Sequence, residues 1–143
     1  MMKSYLLGID IGTSACKVAV FDRNGKVLAA ASGDYPVYYP HAGWAEQNPE
    51  EWWDAVCRAT KETIQKADIT ADEIAGIGID GQSWSAIPID REGNVLANTP
   101  IWMDTRVKAI CDRLNQEIGK AELFEVEGNS LQHSYSHVMH FWF

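Results

Sequence analysis

Apolar residues arrive in short runs over the first third of the chain. Tyr5 to Asp10 is apolar until it closes on a carboxylate, and Cys16 to Phe21 and Val27 to Ala31 follow at strand length. Asp22-Arg23-Asn24-Gly25 separates the last two runs, and Asn-Gly in that setting predicts a hairpin because both residues tolerate positive φ. The period then changes. Asn48 is a capping residue, Pro49 suits a first helical position, and Glu50 and Glu51 complement the helix dipole. Trp52, Val56, Ala59, Thr63 and Ala67 recur at helical spacing while Arg58, Lys61 and Glu62 point elsewhere, so this stripe is expected to pack into a core. Ile74 to Asp80 reads as a buried strand, again ending on a carboxylate. Ser85 to Ile89 and Val95 to Ala97 read as a second hairpin around Glu92-Gly93, Ile101-Trp102 as a short strand, and Arg106 to Ile118 as an amphipathic helix. Phe21 to Ala29 is echoed by Ile89 to Ala97, which the common needs of two hairpin turns explain.

Composition narrows the class. The 143 residues are 46% hydrophobic and 22% charged, which suits one globular domain and argues against a disordered or fibrous chain. With 12 basic and 20 acidic residues the net charge is −8, the wrong sign for nonspecific binding to nucleic acid or an anionic membrane. No apolar run approaches the roughly 18 residues of a transmembrane helix, and the apolar start is too short for a signal peptide. Cys16, Cys57 and Cys111 are odd in number and widely spaced, which fits reduced thiols in a cytoplasmic protein. His133, His137 and His140 would share a face on a helix, but no Cys or carboxylate joins them at ligand spacing, so no metal site is expected there. Val138 to Phe143 is apolar and stops without a C-cap signal, and so reads as a chain cut inside a helix. An exposed apolar end of that kind invites association, and a homodimer stays open.

The sharpest local motif is Gly8-Ile9-Asp10-Ile11-Gly12-Thr13-Ser14. Gly12 permits a tight turn that exposes backbone N–H groups, and Thr13 and Ser14 add hydroxyl donors, a grouping that suits phosphate oxygens. Asp10 at a strand end could hold a magnesium ion through water, and Lys17 could neutralise phosphate charge. The plainer alternative is a hairpin with a polar turn.

Asp10-Ile11-Gly12-Thr13-Ser14 resembles the first phosphate loop of the actin, hexokinase and Hsp70 ATPase superfamily. Three further segments resemble FGGY carbohydrate kinases, most closely the xylulokinase-like members, in family order. They are Gly43 to Trp53, Gly78-Ile79-Asp80-Gly81-Gln82, and the Trp-x-Asp-x-Arg pattern at Trp102-Met103-Asp104-Thr105-Arg106. The resemblance implies an α/β protein of ribonuclease H-like fold, with a mixed sheet flanked by helices. It implies a kinase passing the γ-phosphate of ATP, with Mg, to a sugar or polyol hydroxyl. Asp10 would sit near the metal and transferring phosphate, with Gly12, Thr13, Ser14 and Lys17 around the phosphates. Gln82, Ser83, Trp84, Trp102 and Asp104 would line the sugar pocket. The family's aspartate base and its adenosine-binding domain would lie beyond residue 143, so residues 1–143 are expected to be an N-terminal domain that lacks its C-terminal partner and is inactive alone. Xylulokinases follow Gly-Gln with Met-His, where this chain has Ser83-Trp84, which bears on the substrate.

Two other classes compete. A ribonuclease H-fold nuclease would use Asp10, Glu50 or Glu51, and Asp80 to hold two metals, though the acidic balance would repel DNA and the Trp102 to Arg106 motif would have no role. The third is a noncatalytic domain that serves only as an interaction module. Trp44 and Glu46-Gln47 could reach substrate, but ordering the loop before the helix is the expected job.

Overall fold

Strand β1 (Tyr5–Ile11) turns at Gly12 to Ser14 into the antiparallel β2 (Ala15–Phe21), which pairs in turn with β3 (Val27–Asp34). The computed structural model describes residues 4–142; Met1 to Lys3 and Phe143, where the signal-peptide and cut-helix readings fall in part, lie outside them. Registers Leu7↔Val20, Ile9↔Val18 and Ile11↔Cys16 set one apolar face of the sheet, and Leu7, Ile9, Cys16, Val18 and Val20 are buried there. Helix α1 (Pro49–Lys66) covers that face with Trp52, Ala55, Val56, Ala59 and Thr63. Fully burying an aliphatic side chain of this size contributes roughly 1.5–3 kcal/mol. The helix lies close: a Cβ added to Gly33 would stand 3.0 Å from Ala55 Cβ, and Thr63 Oγ1 donates to the Val18 carbonyl at 3.3 Å. Ala67, the last member of the expected stripe, falls past the helix end.

A 3-10 turn (Ala71–Glu73), entered through a Thr70 N–H that donates to Glu73 Oε2 at 2.9 Å, leads into β5 (Ile74–Gly81). β5 runs parallel to β1, giving the order β3-β2-β1-β5. The expectation of a buried strand fails here: Ile77 and Ile79 are 61% and 70% exposed. β5 is the last strand of the sheet, and its apolar side chains continue the Leu7 and Ile9 face past the reach of α1. An apolar run records that a strand is suited to burial; which neighbour covers it is a tertiary matter.

The first expected hairpin forms, with positive φ at Gly25 and not at Asn24. Asp22 accepts from the N–H groups of Asn24 (2.8 Å) and Lys26 (3.0 Å), while Gly25 N–H donates back to the Asp22 carbonyl at 3.1 Å. The echoed segment repeats this geometry, with Asp90 accepting from Glu92 N–H (3.0 Å) and Asn94 N–H (2.7 Å) and Gly93 at φ +90°. Turn chemistry therefore accounts for the repeat. The backbone donors of Lys26 and Asn24 hold Asp22 below the usual carboxylate range, and the Asn94 side-chain amide leads the same effect at Asp90. Around the second turn the expected strands shrink to one bridge, Ile89↔Val95, and among the described residues no third strand pairs with them.

The contacts divide into two compact units, one of residues 4–36 with 50–82 and the other of 37–49 with 83–142. In the second, β4 (Glu46–Gln47) pairs antiparallel with β6 (Thr99–Pro100), displacing the expected Ile101-Trp102 strand by two residues. Helices α2 (Lys108–Glu117), α3 (Lys120–Glu127) and α4 (Ser136–Met139) follow. Their core holds Val107, Cys111, Leu123, Leu131, Val138 and Met139. Gly128, left-handed at φ +70°, ends α3 by donating its N–H to the Phe124 carbonyl at 2.9 Å. Of the three histidines only His137 lies in α4, so they do not share a helix face.

Candidate functional site

In the first unit the side-chain alternation of β1 and β5 decides which groups meet. Asp10 pairs in register with Asp80 on one side and Lys17 on the other, and Lys17 pairs with Ser32. Residues directly opposite across neighbouring strands point to the same face, so Asp80, Asp10, Lys17 and Ser32 form a polar row across the sheet on the side away from α1. The next row is Gly78, Gly8, Ala19 and Ala30, small enough to leave this face open. α1 covers the other face, so Glu50 and Glu51 do not join Asp10 and Asp80, and no group of three or more metal-ligating side chains occurs among the described residues. The arrangement required of a two-metal nuclease is not assembled.

Gly12 serves its turn through space and not through positive φ. Its N–H donates to the Ala15 carbonyl at 3.1 Å, and an added Cβ would stand 3.2 Å from that oxygen. The Gly12 N–H thus closes the hairpin, so among the N–H groups of the tight turn its own is already paired. Thr13, half-buried, and Ser14, exposed, occupy the turn itself. Sequence reading missed the residue that holds this loop from behind. Tyr35, buried at the end of β3 against Trp52, donates its hydroxyl to the Gly12 carbonyl. Burial, with Cys16 and Asp10 nearby, pushes its phenol up to about 12, so it remains a donor throughout the physiological range. An aromatic residue just past an apolar run was the only available signal. Gln82 follows β5, and its N–H donates to the Ile11 carbonyl at 2.9 Å, extending the β1–β5 ladder past Gly81.

In the second unit, Ser83 and Trp84 are exposed, the indole at 48%, so Trp84 is not a core residue. Its backbone is left-handed at φ +70°, which a bulky residue adopts only when its surroundings impose it. Its ring lies against Tyr135, centroids 5.1 Å apart, a neighbour that sequence reading did not name. Thr99 Oγ1 donates to the Ala86 carbonyl and ties this segment to β6.

Trp102 is 46% exposed at the tip of a turn closed by Asp104 N–H donating to the Ile101 carbonyl at 2.8 Å. Asp104, expected at the sugar pocket, is instead wholly buried with both carboxylate oxygens occupied by protein donors. Oδ2 accepts from Ala45 N–H (2.7 Å) and Arg106 Nη2 (2.8 Å), and Oδ1 from Arg106 N–H (2.8 Å) and Nε (3.0 Å). Burial alone would lower the Arg106 pKa, but its hydrogen bonds to Asp104 and Glu46 outweigh that and hold it above its ordinary value. Arg106 also lies 3.8 Å over the Trp44 ring, which itself meets His41 and Trp142 edge-on. Trp44 and Glu46 therefore order the loop before α1.

The chain spans about a quarter of the length of the curated relatives it matches. It is 39% identical over 117 residues to a glycerol kinase of Rhizobium meliloti (strain 1021), covering 81% of this chain and 24% of that one. It is 38% identical over 115 residues to a xylulose kinase of Bacillus subtilis (strain 168), covering 80% and 23%. The solved structure of a xyloylose kinase from Brucella ovis superposes with a TM-score of 0.87 at 30% identity, over 96% of this chain and 28% of that one. Such neighbours carry the actin and hexokinase type of ATPase fold, in agreement with the mixed sheet found here. The family model for the N-terminal domain of FGGY carbohydrate kinases matches residues 5–143, and with a strand-end aspartate, a Gly-Thr-Ser turn and a Trp-x-Asp-x-Arg turn all in place, the chain belongs to that family.

Proposed function

We propose that this domain serves an ATP-dependent kinase that transfers a phosphoryl group to a hydroxyl of a small sugar or polyol, in the manner of the xylulose and glycerol kinases it resembles. The observation that carries this is the open face of the β1–β5 ladder, where Asp10 stands beside the Gly12 to Ser14 turn on a domain matching the FGGY family. Family membership implies ATP use, and the donor set fits magnesium: an exposed carboxylate is the hard oxygen ligand that ion takes, commonly through water. The ion would supply charge neutralisation at the phosphates. Asp10 would hold it, Thr13 and Ser14 would donate to phosphate oxygens, Lys17 would add positive charge, and Gly12 would keep the turn tight. Gln82, Ser83, Trp84 and Trp102 would meet the acceptor substrate, the two indoles offering apolar faces to its C–H surfaces. Asp104 would act through the shape of the Trp102 turn.

The test is coupled ADP release with pentuloses and polyols, glycerol included. The 143-residue chain alone is expected to stay at ATPase background, and the same domain joined to the remainder of an FGGY kinase to turn over. Turnover by the isolated chain well above background would refute the division of labour, and none by the joined protein would refute the activity.

Trp84 stands where xylulokinases place a histidine. Indole has one N–H donor and no acceptor, so Trp84 is expected to weaken recognition of a hydroxyl that needs an acceptor and to favour stacking. In the joined enzyme Trp84→His should raise kcat/KM for D-xylulose relative to other pentuloses, hexuloses and polyols. Loss of a matched polar contact can shift discrimination by as much as about 10⁴. An unchanged rank order, with all substrates losing activity alongside thermal stability, would assign Trp84 a packing role instead.

A further inference from the structure

We infer that Glu46, acting through Arg106, is a positioning residue for the Trp102 indole. The inference rests on the reading of Trp102 as a substrate contact. Both ends of the Trp102 turn are pinned to one residue: Ile101 N–H donates to the Ala45 carbonyl at 3.0 Å, and Asp104 Oδ2 accepts from Ala45 N–H at 2.7 Å. Asp104 can hold that contact only while its carboxylate plane is fixed, and the Arg106 fork fixes it through both oxygens. The fork is aimed in turn by Glu46, whose Oε1 accepts from the same Nη2 at 2.7 Å, and by the Trp44 ring beneath the guanidinium.

Charge compensation does not account for Glu46. One guanidinium faces two carboxylates, and Asp104 alone would neutralise it with two hydrogen bonds. Glu46 supplies direction: it is anchored in β4, opposite Pro100 of β6, and its backbone exchanges hydrogen bonds with Tyr38 at 2.8 and 2.9 Å. A fixed acceptor there stops the fork from rotating about the Asp104 axis, and with it the turn that carries Trp102.

The chain labelled with 5-fluorotryptophan, its Trp102 resonance assigned by Trp102→Phe, provides the first readout. Glu46→Ala should shift or broaden the Trp102 line while the Trp52 and Trp53 lines stay in place. Glu46→Gln, which keeps an oxygen acceptor, should restore it, and Arg106→Lys, which loses the fork, should disturb it again. In the joined kinase Glu46→Ala should raise the acceptor KM by about tenfold with kcat and the ATP KM within about twofold, since misplacement weakens binding of one substrate only. A Trp102 line unmoved by Glu46→Ala, even with a lowered Tm, would overturn the inference. A displaced Trp102 line with an unchanged acceptor KM upholds the positioning and removes Trp102 from the substrate site, so the two ideas fail separately.

Discussion

Asp10→Asn in the joined kinase is expected to lower kcat by about 10²–10³ while leaving the fold intact. Losing one electrostatic contact to developing charge typically has a cost of that size. Asp10 is exposed at the end of β1, on the face away from α1, so its carboxylate contributes nothing to the core. The amide is isosteric and can still accept a hydrogen bond, but it carries no charge to hold a magnesium ion or complement the phosphoryl group in flight. Asp80, its register partner on β5, faces the same side. With Lys17 opposite on its other side, the repulsion and the attraction lost with the Asp10 charge offset each other, so stability should change by less than about 1 kcal/mol, which separates a chemical role from a structural one. The measurement is kcat at saturating magnesium together with urea unfolding. A kcat within a few-fold of wild type would show that Asp10 is not at the transferring phosphate.

Arg106→Ala should unfold the second unit far more readily, by about 3–5 kcal/mol, the usual effect of stranding one member of a buried pair. The Arg106 side chain is 3% exposed and that of Asp104 0%, so neither can regain water while the fold persists. Without the guanidinium, Asp104 keeps the Ala45 and Arg106 backbone donors but loses the charge that balances it. Arg106→Lys should fall between, because an ammonium keeps the charge but cannot bridge both oxygens. Asp104→Asn tests the other side, leaving the guanidinium with Glu46 alone. Urea unfolding of the 143-residue chain reads these losses, and a change below about 1 kcal/mol for Arg106→Ala would mean the pair relaxes to solvent.

The contrast between these residues shows what a linear pattern carries. The motif around Asp10 is local: a strand, a carboxylate, a glycine and two hydroxyls lie within a few positions, and β1 and its turn form where the pattern predicts them. Asp104 belonged to an equally legible motif, yet its role turned out to depend on Ala45, 59 positions away, and on Glu46, which shares Arg106 with it. A motif identifies which side chains belong together, and only packing shows whether they face a ligand or each other.

The sequence by itself determined that β1, β2, β3 and α1 form and where α1 starts, because alternation, the Asn48-Pro49 start and the buried stripe are set by neighbours a few residues apart. It also determined the two Asp-to-Gly turns, whose hydrogen bonds close within five residues. Tertiary structure decided the rest. It left Ile77 and Ile79 exposed at the end of the sheet, reduced the second hairpin to a single bridge, and brought Tyr35 behind Gly12. It also placed the Asp10 row on the sheet face opposite the one that α1 buries, so that Glu50 and Glu51 do not join it. Each of these depends on which segment lies next to which in space, and hydrophobic period and turn chemistry, being local, carry no record of it.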